Sequence, residues 1–246
     1  MNSEIDKMEE ECGVFGVYTK SEATVIHHMF YGLFALQHRG QESAGVSISK
    51  DGKLKTHKAM GLVSHVLDDK TMATLEGNVA IGHVRYSTCG DSNVNNAQPL
   101  EGHCKLGQLA IAHNGTLTNA KIVRELLEET GAVFQSTIDS EVILSLTSRK
   151  ASKGLEQAIV DAINMIQGAY AIVMTVEGKL VGIRDPHGIR PLCLGELKEG
   201  EYVLSSESCG LDAVGAKFLR DIAPGEMVII DENGLKSIKY AERSYN

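Results

Sequence analysis

The 246-residue sequence has no apolar run near the roughly 20 residues that cross a bilayer, and it has no surplus of basic charge. Its 24 Lys and Arg stand against 32 Asp and Glu, a formal net charge of −8. The first absence leaves no membrane helix to expect, and the second disfavours any role built on neutralising a nucleic-acid backbone. Cysteine is sparse and scattered: Cys12, Cys89, Cys104, Cys193 and Cys209 form no CxxC pair. An odd, dispersed set argues against a disulfide framework and gives no local zinc or iron–sulfur signature, so reduced thiols fit best. GxGxxG after a strand and GxxxxGK[ST] are also missing, which leaves nucleotide-binding folds without local support. No internal repeat or low-complexity linker divides the chain.

What is present suits one globular domain, since 43% of the residues are apolar and a chain of this length can bury a continuous core. The first eleven residues, MNSEIDKMEEE, carry five acidic side chains and one basic, so half of the formal charge precedes Cys12. That leader has neither the basic start and apolar stretch of a secretory signal nor the basic character of a mitochondrial one, and a cytoplasmic location is expected.

Periodicity predicts strands over residues 12–18, 43–50, 53–60, 78–88 and 106–115, with Asp51-Gly52 as a turn. Helices are expected over 27–40, 119–130, from near Asp139, and over 155–166. In the second of these Ile122, Val123, Leu126 and Leu127 form the expected apolar face, and Gly131 the stop. Residues 89–105 read as a polar loop suited to shaping a substrate mouth. A hairpin around Glu177-Gly178, further short strands and a brief helix near 209–214 complete the chain. Two groups of strands separated by paired helices, without a βα repeat, favour a layered α+β fold.

Cys12 stands at the boundary of the acidic leader. Cleavage after Glu11 would place an α-amine on the residue that carries the thiol, joining a nucleophile to a base with an ordinary pKa of about 7.7–8.0. Asn114-Gly115 follows an apolar strand; alone it is a turn pair. Arg85 alone reads as half of a surface ion pair, and Asp139 as a helix cap.

The ordered stretches ECGVFGVY, LFALQHRGQESAG, IGHVRYST, IAHNGTLTNA, STIDSEVI, RDPHGIRPL and SSESCGLDAVG resemble the N-terminal class II glutamine amidotransferase domain of the amidophosphoribosyltransferases, also called glutamine phosphoribosylpyrophosphate amidotransferases. The resemblance implies a four-layer αββα sandwich of the N-terminal-nucleophile hydrolase type. It implies that Cys12 attacks the side-chain amide of glutamine, that its freed amine manages the proton, and that the Asn114 side chain and Gly115 N–H form an oxyanion hole. It assigns Arg85 to the glutamine α-carboxylate and Asp139 to the α-ammonium, with Thr88, Gly115 and the backbone near His38, Arg39 and Gly40 completing the pocket. Tyr86 and Arg39 are candidates for transmitting closure of that pocket. His83 and His113 are left as supporting or packing groups, and Cys193 and Cys209 as noncatalytic.

By the same resemblance residues 1–11 are a removable leader and 12–246 the amidotransferase domain. Complete members continue into a phosphoribosyltransferase domain, where ammonia attacks phosphoribosyl pyrophosphate in the first committed step of purine biosynthesis. The match fades over LKSIKYAERSYN, so that domain is expected to be absent here. Magnesium and, in one branch, a [4Fe-4S] cluster belong to the continuation, with no cofactor in this chain. The expected partners are glutamine, the phosphoribosyltransferase domain or an acceptor subunit, and further copies in the full-length enzyme. A standalone ammonia donor is the enzymatic alternative. A retained leader would favour a noncatalytic glutamine-binding scaffold.

Overall fold

The structure, a computed structural model, describes residues 12–22, 24–86 and 93–242. In chain order the elements are β1 (Gly13–Tyr18), α1 (Val25–Ala35), β2 (Ser43–Lys50), β3 (Lys53–Met60), α2 (Val63–Val66), α3 (Asp69–Met72), β4 (Val79–Arg85), β5 (Leu100–Cys104) and β6 (Gly107–Leu117). There follow α4 (Ala120–Glu129), α5 (Ser140–Lys150), α6 (Leu155–Ile163), β7 (Gly168–Val176), β8 (Lys179–Arg184), β9 (Cys193–Lys198) and β10 (Glu201–Ser205). The chain ends with α7 (Ser208–Ala213), β11 (Lys217–Asp221), β12 (Glu226–Asp231) and β13 (Gly234–Lys239).

The strands form two antiparallel sheets. The first runs β11-β9-β10-β1-β4-β2-β3 and the second β13-β12-β8-β7-β6-β5. Each central strand is buried on both faces, so its residues divide by size and partner rather than by polarity. In β1, Phe15 and Val17 join the helical core around α1, while Val14 and Tyr18 face the other sheet. In β6, Leu109 and Ile111 pack toward α4, α5 and α6, whereas Ala110 and Ala112 meet the first sheet. The inter-sheet layer admits close approach: a Cβ on Gly16 would lie 2.8 Å from Leu180 Cδ1. With α1, α2 and α7 outside one sheet and α4 to α6 outside the other, the order is the αββα sandwich that the resemblance implied.

Three expectations change. Within the supposed loop 89–105, residues 100–104 form β5, an edge strand paired with β6. It reads as polar because Glu101 and His103 face outward while Leu100 is buried and Gly102 sits against Leu144. In α4, Val123 and Leu127 are buried, but Ile122 is 70% exposed and Leu126 50%, so half of the expected apolar stripe faces outward. The helix read over 27–40 ends at Ala35, and a separate 3-10 turn spans Gln37–Arg39. That break carries Arg39 inward.

Candidate functional site

Cys12 directly precedes β1, at the middle of the first sheet. The β1–β4 register pairs Gly13 with Val84, which brings Cys12 level with Arg85 at the end of β4. Asn114 and Gly115 lie near the end of β6, a central strand of the facing sheet. Asp139 directly precedes α5. Four separate stretches of chain thus meet where two central strands end, and Cys12, Arg85, Gly115 and Asp139 line one cavity of about 40 Å³ with Tyr86, Gln98, His113 and Ser140. That is room for a water or two rather than an amino acid, so admitting a larger ligand requires the lining to open. Wider clefts beside Glu141, about 490 Å³, and beside Tyr170, about 830 Å³, do not include Cys12.

Cys12 is held tightly at its backbone. Its nitrogen donates to the Arg39 carbonyl oxygen at 2.9 Å, and Arg39 Nε donates to the Cys12 carbonyl oxygen at 2.8 Å. The Sγ–H donates to the Tyr86 carbonyl oxygen at 3.5 Å. Cys12 has φ of 66°, a left-handed conformation that costs a non-glycine residue of order 1–3 kcal/mol and clusters at functional sites. Arg39 is almost fully buried and ion-paired with Glu207, which also meets His38 at 3.2 Å. Burial pushes the Glu207 carboxyl up, but Arg39 and His38 outweigh it and hold the group below its usual range.

Asn114 shares the inter-sheet face of β6 with Ala110 and Ala112. It is fully buried, and neither its Oδ1 nor its Nδ2 has a hydrogen-bond partner among the described residues. An unsatisfied buried amide costs roughly 1–3 kcal/mol, so an orphan of this kind in a native fold calls for an explanation. Gly115 has φ of 145°, and a Cβ there would lie 2.0 Å from the Ala169 carbonyl oxygen, so only glycine fits.

Arg85 is 3% exposed, and its guanidinium bonds Glu42 Oε1 at 2.9 Å. It is a buried pair, not the surface one its sequence context suggests. Gly40 packs directly on the Arg85 backbone, where a Cβ would lie 2.6 Å from the carbonyl carbon.

Asp139 does not cap α5 with its side chain. Its Oδ2 instead accepts from the Leu117 N–H at 2.8 Å, and Oδ1 lies 3.6 Å from His113 Nδ1. Burial raises the Asp139 pKa, but the charge of His113 and the Leu117 N–H overcome it and leave the carboxyl below its ordinary value. His113 Nδ1 also lies 3.1 Å from Ser140 Oγ. His83 is fully buried beneath His113, and desolvation, then repulsion from His113, lower its pKa to about 3. His83 thus packs behind the site, whereas His113 lines the cavity itself.

Thr88 lies outside the described residues, as do residues 1–11. Glu42, Gln98, Ser140 and Glu207 are the polar neighbours that sequence reasoning missed. Gln98 clamps the β6 backbone by accepting from the His113 N–H at 2.8 Å and donating to the His113 carbonyl oxygen at 3.2 Å. Only the folded chain reveals it, since Gln98 sits in a polar stretch with no local pattern. No helix among the described residues is long and apolar enough to cross a membrane.

Comparison with known proteins bears on this arrangement. The chain is 45% identical over 232 residues to amidophosphoribosyltransferase 2, chloroplastic, of Arabidopsis thaliana, covering 94% of this chain and 41% of that one. It is 42% identical over 242 residues to the Bacillus subtilis amidophosphoribosyltransferase, covering 98% of this chain, Cys12 included, and 50% of that one. The solved structure of the B. subtilis glutamine phosphoribosylpyrophosphate amidotransferase superposes with a TM-score of 0.87 at 40% identity, over 94% of this chain and 49% of that one. The sandwich is accordingly of the N-terminal-nucleophile hydrolase type. The chain spans about half the length of the curated relatives it matches. A family profile described as a glutamine amidotransferase domain matches residues 48–222, which include Arg85, Asn114, Gly115 and Asp139, and the chain belongs to that family.

Proposed function

We propose that the chain hydrolyses glutamine to glutamate, with Cys12 as nucleophile, and that the ammonia serves formation of phosphoribosylamine from phosphoribosyl pyrophosphate. The observation that carries this reading is the convergence of Cys12, Arg85, Gly115 and Asp139 on one cavity, with the orphaned Asn114 amide in the adjoining strand face.

Removal of residues 1–11 frees the Cys12 nitrogen as an amine next to the thiol. That amine takes the thiol proton as Sγ attacks the amide carbon of glutamine, then passes a proton to the departing ammonia. Water completes the cycle by hydrolysing the γ-glutamyl thioester. Asn114 Nδ2 and the Gly115 N–H face the oxyanion that develops during both attacks, and their pre-set position is the main electrostatic contribution. The chemistry itself needs no cofactor. Leader removal also has a conformational benefit: the left-handed φ of Cys12 is a torsion about a bond flanked by Glu11, and it ceases to exist once that peptide bond is cut.

Arg85, oriented by Glu42, receives the glutamine α-carboxylate. Asp139, kept ionised by its neighbours, receives the α-ammonium. Thr88 belongs to the same pocket in this reading. The acceptor reaction is assigned to a separate phosphoribosyltransferase domain, and magnesium and any [4Fe-4S] cluster are assigned there too. Assembly into homo-oligomers and a cytoplasmic location complete the reading.

Mass spectrometry of the purified chain, paired with ammonia release from glutamine, tests it. Activity should appear only in molecules that begin at Cys12. A folded chain with a verified N-terminal Cys12 that releases no ammonia and forms no thioester refutes the catalytic role.

A further inference from the structure

Beside the Cys12 site, and outside its cavity, three side chains of different chemistry converge. His38 comes from the 3-10 turn after α1, and Glu207 and Cys209 come from the entrance to α7. His38 Nε2 lies 3.2 Å from Glu207 Oε2. Cys209 Sγ lies 3.6 Å from the same oxygen, and all three ligand atoms fall within 4.8 Å of one another. A tetrahedral zinc ion with bonds of about 2.0–2.3 Å holds such atoms about 3.4–3.6 Å apart. Two edges of that tetrahedron are therefore near their required length, and the third needs at most about an ångström of closure. The His38 side chain is 57% exposed, so this edge of the cluster lies at the surface.

The setting of His38 is a second observation. Its Nδ1 lies 3.0 Å from the Ala35 carbonyl oxygen, a contact that orients the ring. Its Nε2 faces Glu207 Oε2 at 3.2 Å, so a nitrogen and a carboxylate oxygen already converge on one point. A backbone carbonyl on the far nitrogen is the outer contact that metal-binding histidines adopt. Glu207 keeps its other oxygen on Arg39, which leaves Oε2 as a single-point ligand.

We propose that His38, Glu207 and Cys209 bind a borderline-soft divalent cation, zinc above all, through one nitrogen, one oxygen and one sulfur, with a fourth position open to solvent. A mixed N, O, S set suits zinc, whereas magnesium and calcium prefer oxygen alone. Binding displaces the thiol proton of Cys209 to solvent and forms the metal–thiolate bond. Because Glu207 also holds Arg39, and Arg39 holds the Cys12 carbonyl, the ion draws on the carboxylate that steadies Cys12. That consequence rests on the nucleophile role proposed above; the binding does not.

Titrating the full chain with cobalt(II) alone, followed by absorption, tests the site. One equivalent should bind with a thiolate-to-cobalt charge-transfer band and the visible bands of a tetrahedral ion, and zinc should displace it. Cys209→Ser should lose the charge-transfer band. His38→Ala, a change at an exposed side chain in a chain checked by circular dichroism, should weaken binding at least about tenfold. Cys12→Ser should retain both. A charge-transfer band that survives Cys209→Ser, disappears in Cys12→Ser, or never forms overturns the proposal. Absorption reads the metal and ammonia release reads the glutaminase, so failure of one is distinct from failure of the other.

Discussion

Cys12 and Arg39 exchange hydrogen bonds in both directions, nitrogen to carbonyl at 2.9 Å and guanidinium Nε to carbonyl at 2.8 Å. The pair fixes the start of β1 against the turn that follows α1, and it fixes the direction of the Cys12 nitrogen. Arg39→Lys keeps a cation for Glu207 but loses the rigid Nε donor. We expect kcat for glutamine hydrolysis to fall by about 10–100-fold, the cost of misplacing a reacting group, with KM changing less. Unchanged steady-state kinetics would show that the clamp does not position Cys12.

Asn114→Ala separates function from stability. Loss of an oxyanion donor should lower kcat by about 10²–10³-fold. Yet the amide has no partner among the described residues, so removing it should leave the melting temperature unchanged or raise it. Thermal unfolding and turnover measured on the same preparation decide this; a large drop in stability would mean that the amide is bonded in the resting protein.

Glu42→Ala removes a carboxylate partner of the buried Arg85 guanidinium. Losing a hydrogen bond to a charged group costs about 1.5–3 kcal/mol, read by denaturant unfolding. KM for glutamine should rise as well, because Arg85 loses the carboxylate that orients it. Stability loss without any change in KM would confine Arg85 to a structural role.

His83 sets a pH dependence. Its pKa falls from 6.5 to about 3 on folding, so below 6.5 the unfolded chain binds a proton that the native one refuses. The His83 contribution is complete above pH 6.5 and is lost as pH falls toward about 3. His83→Gln should flatten the melting-temperature profile across that window. A profile identical to the parent's would mean that folding leaves the His83 pKa unshifted.

Gly115→Ala should fail structurally before it fails chemically. The added Cβ meets the Ala169 carbonyl oxygen at 2.0 Å, at a φ of 145°. We expect a loss of at least about 1–3 kcal/mol from backbone strain alone, measured by chemical denaturation.

The strands were legible because a core buried on two faces forces nearly continuous apolar runs, as in β1, β6 and β7. The edge strand β5 was not, since an edge needs only Leu100 buried and can carry Glu101 and His103 outward. The outward turn of Ile122 and Leu126 was hidden because periodicity gives a stripe without saying which part of it is covered. At the site, chain order and motif singled out Cys12, Arg85, Asn114, Gly115 and Asp139, whose residue types suit nucleophilic attack, anion binding and oxyanion stabilisation.

The sequence by itself determined the family, the layered α+β class and the types of group available for chemistry, because these follow from local pattern and residue order. Tertiary structure alone decided the partners. It pairs Arg85 with Glu42 across β2 and β4, takes the Asp139 carboxylate from the helix end to Leu117 and His113, and joins Glu207 to Arg39 across 168 positions of sequence. The physical reason is that a buried charge must find its counter-charge wherever the packed sheets bring one, and sequence separation carries no record of that meeting.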